Sequence, residues 1–237
     1  YGILGEENVA FELNNSYLPL IILHDLRLEY EGLSAQIDYL IITSKLCLIV
    51  ECKNLYGNLT IDQKGDFIRE LNYNGKRYKE GIYSPVTQNT RHLEMVKRIG
   101  SDSKKNGLLR ALFEKYFDDN YKSVIVLANP KAIINTKAAA KVIKDKIIRR
   151  DQLIAHIKKL DKESKNLASS EKQMYQQAEF FMRYHKENPK GYTEKYAQAP
   201  RIEDTEIYQE LKRYRYETSQ AEGIKAFQVF TNVELTD

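Results

Sequence analysis

Two apolar segments, residues 35–43 and 46–53, most constrain what this chain can fold into. Both are rich in β-branched residues, and only Ser44 and Lys45 separate them. They therefore predict an antiparallel hairpin with a two-residue turn. Both faces of the predicted pair are largely apolar, which is typical of strands at the centre of a sheet. The sequence thus predicts a buried sheet built around this hairpin.

The predicted register gathers four polar side chains at one end of the apolar pair. It places Asp38 opposite Glu51 and Gln36 opposite Lys53, and strict alternation puts all four on one face. Two ionised carboxylates that face each other across a ladder repel, and partial burial makes the repulsion more costly. A divalent cation removes this repulsion, because carboxylate oxygens are the hard ligands that magnesium or calcium prefers.

The residues alone leave two interpretations of these side chains open. In the first, Asp38 and Glu51 hold a metal ion, and Lys53 contacts whatever the metal binds. In the second, Lys53 only neutralises the acid pair, and the group is a buried ionic cluster. The prediction also depends on the turn, since a slip of one residue in the register would scatter the side chains over both faces.

The remainder of the chain alternates between helical and strand patterns. The predicted helices cover residues 3–14, 85–99, 107–117, 151–160, 169–187 and 205–222. The other predicted strands cover residues 18–29, 59–62, 123–128 and 142–148, with a hairpin at 66–80 that turns at Asn74-Gly75. This order predicts an α/β (α+β) fold, in which helices cover a mixed central sheet.

Charge is unevenly distributed along the chain, although the net charge is only +4. Residues 1–60 carry three basic and eight acidic side chains, whereas residues 131–165 carry eleven basic and four acidic ones. An acidic segment that could hold cations, followed by a basic tract that could hold phosphates, indicates nucleic acid. A solvated helix face explains the basic tract equally well. The candidates for nucleic-acid contact are Lys141, Lys144, Lys146, Arg149 and Arg150.

Composition limits the setting of the protein. Hydrophobic residues make up 42% and charged residues 30% of the chain, as in a soluble globular protein. The longest apolar stretch, residues 18–23, is far shorter than the roughly 18 residues that a membrane span needs. Cys47 and Cys52 form neither a disulfide framework nor a zinc-ligand pattern. We expect a cytoplasmic protein without membrane association and, because residue 1 is Tyr, a piece of a longer chain.

Asp38 and the later Glu51-Cys52-Lys53 resemble the core motif of the PD-(D/E)XK nuclease superfamily. More narrowly, residues 1–130 resemble the nuclease-related (NERD) domain. The matching pieces are Gly5-Glu6, Gln36-Ile37-Asp38, residues 49–54, Gly57, and Pro85-Val86-Thr87-Gln88 opening a helix that includes His92 and Leu93. One departure is Ser84, where the family pattern has asparagine. The resemblance implies a restriction-endonuclease-like mixed sheet flanked by helices, with a helical C-terminal extension.

The resemblance further implies a set of metal ligands. Asp38 and Glu51 would bind Mg²⁺ or Mn²⁺, together with the backbone carbonyl of Cys52. Glu6, from the first helix, would be an auxiliary acid that binds the metal directly or through water. Its carboxylate has a plain alternative explanation, because the helix dipole favours acids in a first turn.

Three more polar residues receive roles from the same resemblance. Lys53 would orient the attacking water and offset charge on the scissile phosphate. Gln88, at a helix start, would contact the water or a phosphate, although it is also an ordinary polar residue of an early helical turn. Gln36 would be an accessory residue of the site. A metal lowers the pKa of bound water, and lysine is a compact point charge, so the residue types suit this chemistry.

The leading expectation is a metal-dependent nuclease that hydrolyses phosphodiester bonds in DNA. The alternative is a non-catalytic nucleic-acid-binding or adaptor module that retains the nuclease fold. The intact set of Asp38, Glu51 and Lys53 favours the enzyme, because loss of activity usually removes one of the three. A homodimer and helicase- or repair-type partners are further expectations for this class of protein.

The C-terminal segment does not belong to the predicted core. Ile207, Leu211 and Tyr214 form an apolar stripe on a predicted helix. With residues 226–235, this segment resembles the start of an HRDC (helicase and RNase D C-terminal) domain, and we expect the chain to continue past Asp237. The alternative is that Leu211, Phe227 and Phe230 belong to the main core. The predicted division is a nuclease-like core at residues 1–160, a helix and linker at residues 161–204, and the truncated HRDC-like segment at residues 205–237.

Overall fold

A computed structural model describes residues 2–73, 76–187 and 206–230 of the chain. The chain divides into two compact units, Tyr1–Lys186 and Glu187–Asp237. The first unit has the expected mixed α/β architecture, with helices packed on mixed sheets. Among the described helices, none has the length and apolar character that crossing a membrane requires.

The first unit contains seven α-helices and nine β-strands among its described residues. The helices are α1 (Gly2–Asn14), α2 (Pro85–Asp102), α3 (Gly107–Lys115), α4 (Phe117–Asn120), α5 (Lys141–Lys144), α6 (Leu153–Glu163) and α7 (Glu171–Met182). The strands are β1 (Ile21–Tyr30), β2 (Leu33–Ile42), β3 (Cys47–Lys53), β4 (Asn58–Ile61), β5 (Phe67–Tyr73), β6 (Lys76–Ile82), β7 (Tyr121–Leu127), β8 (Ile133–Asn135) and β9 (Ile147–Arg149). A 3₁₀ turn, Arg150–Gln152, precedes α6.

The strands form two sheets. The larger has the order β1-β2-β3-β7-β9, in which β1 to β3 are antiparallel and β7 and β9 join parallel. The smaller has the order β6-β5-β4-β8, and β8 joins β4 parallel. The strand predicted at residues 142–148 is wrong in its first half, because α5 turns there to bury Ile143 beneath the smaller sheet. The predicted turn at Asn74-Gly75 lies outside the described residues.

Both faces of the larger sheet are buried, as the apolar hairpin predicts. One face packs against α2 and α7, through side chains such as Leu40, Ile49, Val96 and Phe181. The opposite face packs against α1 and α6, through side chains such as Val9, Ile41, Val50 and Ile157. Residues 171–182 therefore contribute to the core of the first unit.

The predicted strict alternation along β2 is wrong at Asp38. Ile37 belongs to the same core as Leu40, although residues three apart on a regular strand point to opposite faces. The ladder between β1 and β2 is interrupted at the same level, where Asp25 has a φ of 51°. Asp tolerates this left-handed conformation better than most residues with a side chain. Both strands therefore change the face that they present at the level of Asp25 and Asp38.

Helix α1 approaches the carboxyl end of β3 closely because Gly5 has no side chain. A Cβ at Gly5 would lie 2.8 Å from Asn54 Cβ and 3.4 Å from Cys52 Sγ. The Tyr39 hydroxyl donates a hydrogen bond of 2.7 Å to the backbone carbonyl of Glu6, which ties the same helical turn to β2. Glu6 is therefore held beside the end of β3.

We expect Gly5→Ala to lower the free energy of unfolding by about 1–3 kcal/mol, the usual cost of forcing an extra methyl into a packed site. Thermal unfolding followed by circular dichroism measures this change. Gly107→Ala is the matched control, because a Cβ at this helical glycine would meet open space among the described residues. Equal destabilisation by the two substitutions would contradict the close approach of α1 to β3.

The second unit contains two described helices, α8 (Glu206–Glu222) and α9 (Ala226–Val229). Within it, the Arg215 guanidinium lies 5.7 Å from the centre of the Phe230 ring and donates to the Phe230 carbonyl. Leu211 and Tyr214 on the predicted stripe are exposed. Part of the predicted linker and the last residues of the HRDC-like segment lie outside the described residues, so the HRDC resemblance stays a prediction.

Candidate active site

The predicted polar cluster lies at the carboxyl end of β3. The predicted register of β2 and β3 is confirmed from the pair Tyr39–Val50 to the pair Ile42–Cys47, and the predicted pairs Asp38–Glu51 and Gln36–Lys53 lie beyond this ladder. The Thr43 amide donates to the Leu46 carbonyl at 2.9 Å, which closes the two-residue turn. Asp38 directly precedes Tyr39 on β2 and Glu51 directly follows Val50 on β3, so both acids lie at the same end of the ladder. Helices α1 and α2 flank this end from opposite faces of the sheet.

The Asp38 carboxylate is bound by the backbone of β3. Its Oδ2 accepts a hydrogen bond of 2.6 Å from the Cys52 amide. Burial raises the pKa of Asp38 to about 7, and the negative charge of Glu51 adds to the rise, while the Cys52 amide opposes it. Asp38 is therefore an acid that the fold has partly removed from water and placed near a second acid.

Glu51 is the most deeply buried acid of the site, with 1% of its surface exposed. Burial raises its pKa, and the charge of Lys53, whose Nζ lies 2.5 Å from Oε1, opposes this rise. The side chain of Gln88, in the first turns of α2, also lowers the Glu51 pKa. The second oxygen, Oε2, has no hydrogen-bond partner within the described part of the chain. One acceptor of a buried carboxylate is thus left without a hydrogen bond among these residues.

His92 belongs to this site, although the sequence pattern favours an ordinary core or surface histidine. It is 6% exposed, and its Nδ1 lies 3.5 Å from Glu51 Oε2. Burial, followed by the charge of Lys53, lowers the pKa of His92 to about 4, so the imidazole is neutral at pH 7. Its position was in principle detectable, because residues four apart on a helix share a face and His92 follows Gln88 by four.

Glu6 and Gln36 lie nearby but are engaged with other residues. Glu6 Oε2 lies 3.1 Å from His24 Nε2, and this contact raises the pKa of His24. Gln36 Nε2 donates to Asp25 Oδ1 at 2.6 Å, so its amide is bound to β1. Among the residues that the structure describes, no three His, Cys, Asp or Glu side chains are grouped closely enough to hold a metal ion. Asp38 and Glu51 are thus the pair of acids that the fold brings together at this end.

The predicted nucleic-acid-binding residues lie on α5, β9 and the turns that follow them. Arg149 donates to the carbonyl oxygens of Pro130 and Ala132, at 2.9 and 3.3 Å. The Arg150 Nε lies 3.5 Å from a Glu12 carboxylate oxygen on α1. Both arginines therefore serve contacts within the fold, which the charge pattern alone does not indicate.

A mixed sheet with two acids and a lysine at the end of a central strand is a nuclease-like arrangement. Residues 1–128 match the nuclease-related domain (NERD) family, and the match covers all elements from α1 to β7 that build the site. Because it spans more than half of the chain, the protein belongs to the nuclease-related domain family. A search of curated proteins and a search of solved structures each found no match. Membership of this family indicates a nuclease-like function and an interaction with nucleic acid.

We expect Asp38→Asn to stabilise the metal-free protein in a pH-dependent way. The Asp38 carboxyl has a pKa of about 7 in the folded state and about 4 when unfolded. The folded state therefore binds more protons between these values, and wild-type stability falls as pH rises from about 4 to 7. The asparagine variant lacks this loss and keeps an oxygen for the Cys52 amide.

Thermal unfolding in EDTA, followed by circular dichroism from pH 4 to 8, measures this difference. The unfolding temperature of the variant should equal that of the wild type near pH 4 and be higher by at least roughly 2–4 °C at pH 8. Asp118→Asn removes an exposed carboxyl and is the control. A constant offset between Asp38→Asn and wild type across the whole range would contradict the burial of an ionisable Asp38.

Proposed function

We propose that this domain is a metal-dependent nuclease that hydrolyses phosphodiester bonds in DNA. The observation that carries the proposal is the pair of acids at the end of β3, in which Glu51 is buried and keeps one oxygen without a hydrogen-bond partner among the described residues. Burial of both carboxylates raises their pKa values, so the site favours a positively charged ligand. Family membership supports the same class of reaction.

The donor set suits Mg²⁺ or Mn²⁺ as the proposed cofactor. Asp38 and Glu51 would supply hard carboxylate oxygens, and the backbone carbonyl of Cys52 is a third proposed ligand. Glu6, which contacts His24, would reach the metal through water. When bound, the metal would stabilise negative charge on the phosphate and lower the pKa of a water molecule. Its binding would also remove the repulsion between the two acids, which the protein by itself leaves partly uncompensated.

Lys53, Gln88 and His92 have proposed roles around the metal ligands. Lys53 would release part of its contact with Glu51 and place its ammonium on a phosphate oxygen, where charge develops during cleavage. Gln88 would orient the water or a phosphate from the start of α2. His92 is neutral at pH 7, so we assign it to the support of Glu51 and not to proton donation.

The interpretation of these side chains as a buried ionic cluster also has an observation in its favour. The short contact between Lys53 and Glu51 is what a buried ionic cluster predicts. A metal titration separates the two proposals, because an ionic cluster has no need of a cation. We extend the nuclease proposal to Lys141, Lys144 and Lys146 as phosphate contacts. Lys141 Nζ lies 2.6 Å from Asp145 Oδ2 and Lys144 Nζ donates to the Lys137 carbonyl at 3.1 Å, so these two would exchange an exposed contact for a phosphate.

Isothermal titration calorimetry with Mg²⁺ and Mn²⁺ tests the metal site. We expect the wild type to bind one of these ions and Glu51→Gln to lose at least about tenfold in affinity, equivalent to about 1.4 kcal/mol. Asp38→Asn should show the same loss, and Asp118→Asn should not. Metal affinity that is unchanged in both site variants would exclude the proposed ligands and favour the ionic cluster.

Cleavage of linear, circular and single-stranded DNA tests the activity. Lys53→Ala should reduce the rate by about 10²–10³, by analogy with the loss of one preorganised charge-stabilising donor. Because Lys53 also neutralises Glu51, its loss destabilises the fold. The assay is therefore run well below the unfolding temperature of the variant. Lys172→Ala removes an exposed lysine on α7 and is the control for net charge. A fully active Lys53→Ala protein would show that this lysine has no part in cleavage.

A further inference from the structure

A groove runs between the start of β2 and helix α2, next to the candidate active site. Its volume is about 570 Å³, and it is lined by Gln36 on β2 and by Tyr83, Gln88, Arg91, His92 and Arg98 from the start and body of α2. This volume lies within the range of about 300–1,000 Å³ that is typical of sites for small molecules and cofactors. The groove is therefore large enough to receive one unit of a polymeric substrate.

The groove adjoins the acid pair through two shared side chains. Gln88 and His92 line the groove; Gln88 also lowers the pKa of Glu51, and His92 Nδ1 lies 3.5 Å from Glu51 Oε2. A molecule that occupies the groove thus lies next to the two side chains that border the buried Glu51 carboxylate. Binding in the groove would present the neighbouring part of the same molecule to Asp38 and Glu51.

The side chains that line the groove suit a ligand that is both aromatic and anionic. Tyr83 is 56% exposed, and the Arg91 guanidinium lies 5.7 Å from the centre of its ring. Arg98 adds a second cation, which is paired with Glu31, and Glu94 is the one acid among the residues that line the groove. An exposed tyrosine beside a guanidinium can stack on a nucleobase, while the guanidinium attracts the phosphate.

We propose that this groove binds one unpaired nucleotide of a single-stranded nucleic acid, with its base stacked on Tyr83 and its phosphate next to Arg91. Stacking on a side chain needs a free face of the base, and bases in a duplex are already stacked on their neighbours. The substrate class is therefore a single strand or an unpaired end. The proposal rests on the proposed function only for cleavage at the next phosphate, because binding in the groove does not itself require cleavage.

Fluorescence anisotropy of a labelled oligothymidine of about ten nucleotides tests this binding. The full chain is titrated in EDTA, so that cleavage does not contribute to the signal. We expect Tyr83→Ala to weaken binding about tenfold, whereas Tyr83→Phe keeps the ring and binds like the wild type. Arg91→Gln should weaken binding and lower the slope of log affinity against log salt by about one unit.

Tyr116→Ala is the matched control. Tyr116 is 44% exposed and lies under a Lys115 ammonium 5.3 Å away, but it does not line the groove. Equal losses for Tyr83→Ala and Tyr116→Ala would overturn the proposal. So would an equal affinity for a duplex of the same length.

The outcomes separate this proposal from the proposed function. Binding of the single strand that depends on Tyr83, in a protein that cleaves no DNA with Mg²⁺ or Mn²⁺, would support the groove and overturn the nuclease proposal. Cleavage of duplex DNA by a protein that binds no single strand would support the nuclease proposal and overturn the groove. Tyr83-dependent binding together with cleavage of single strands would support both.

Discussion

The removal of two carboxylates from water, those of Asp38 and Glu51, is the constraint on which the site depends. Burial raises both pKa values, and the charge of Glu51 adds to the rise at Asp38, so the folded state carries an energetic cost at neutral pH. Two neighbouring groups of β3 offset only part of this cost: the Cys52 amide binds Asp38, and the Lys53 ammonium binds Glu51. Apolar side chains would stabilise this end of the sheet more, so its polarity indicates a function.

The geometry of the site depends on an irregularity in the sheet and on a close helix. The left-handed residue Asp25 interrupts the ladder of β1 and β2 opposite Asp38, and the strands exchange faces there. Gly5 allows α1 to approach the end of β3, which holds Glu6 nearby. Helix α2 closes the opposite side with His92, so two helices and two strands meet at one polar end of the sheet.

Much of the fold could be predicted because it depends on local pattern. The register of β2 and β3 follows from a two-residue turn and two apolar faces, and the start of α2 follows from Pro85 at its first position. The exchange of faces at Asp38 could not be predicted, because the apolar pattern does not encode a left-handed φ at Asp25. The roles of Arg149 and Arg150 were also hidden, since a charge run does not indicate which cations bind within the fold.

By itself, the sequence determined the central hairpin, its register and the identity of the two acids and the lysine, because periodicity and turn length act over a few residues. Only the tertiary structure decided that His92 lies against Glu51, that Glu6 contacts His24 and that a groove opens beside Tyr83. These features depend on how α1 and α2 pack on the sheet. Burial, together with contacts between residues that are distant in sequence, sets the charges of the site and the space around it. The linear order of residues does not show these contacts.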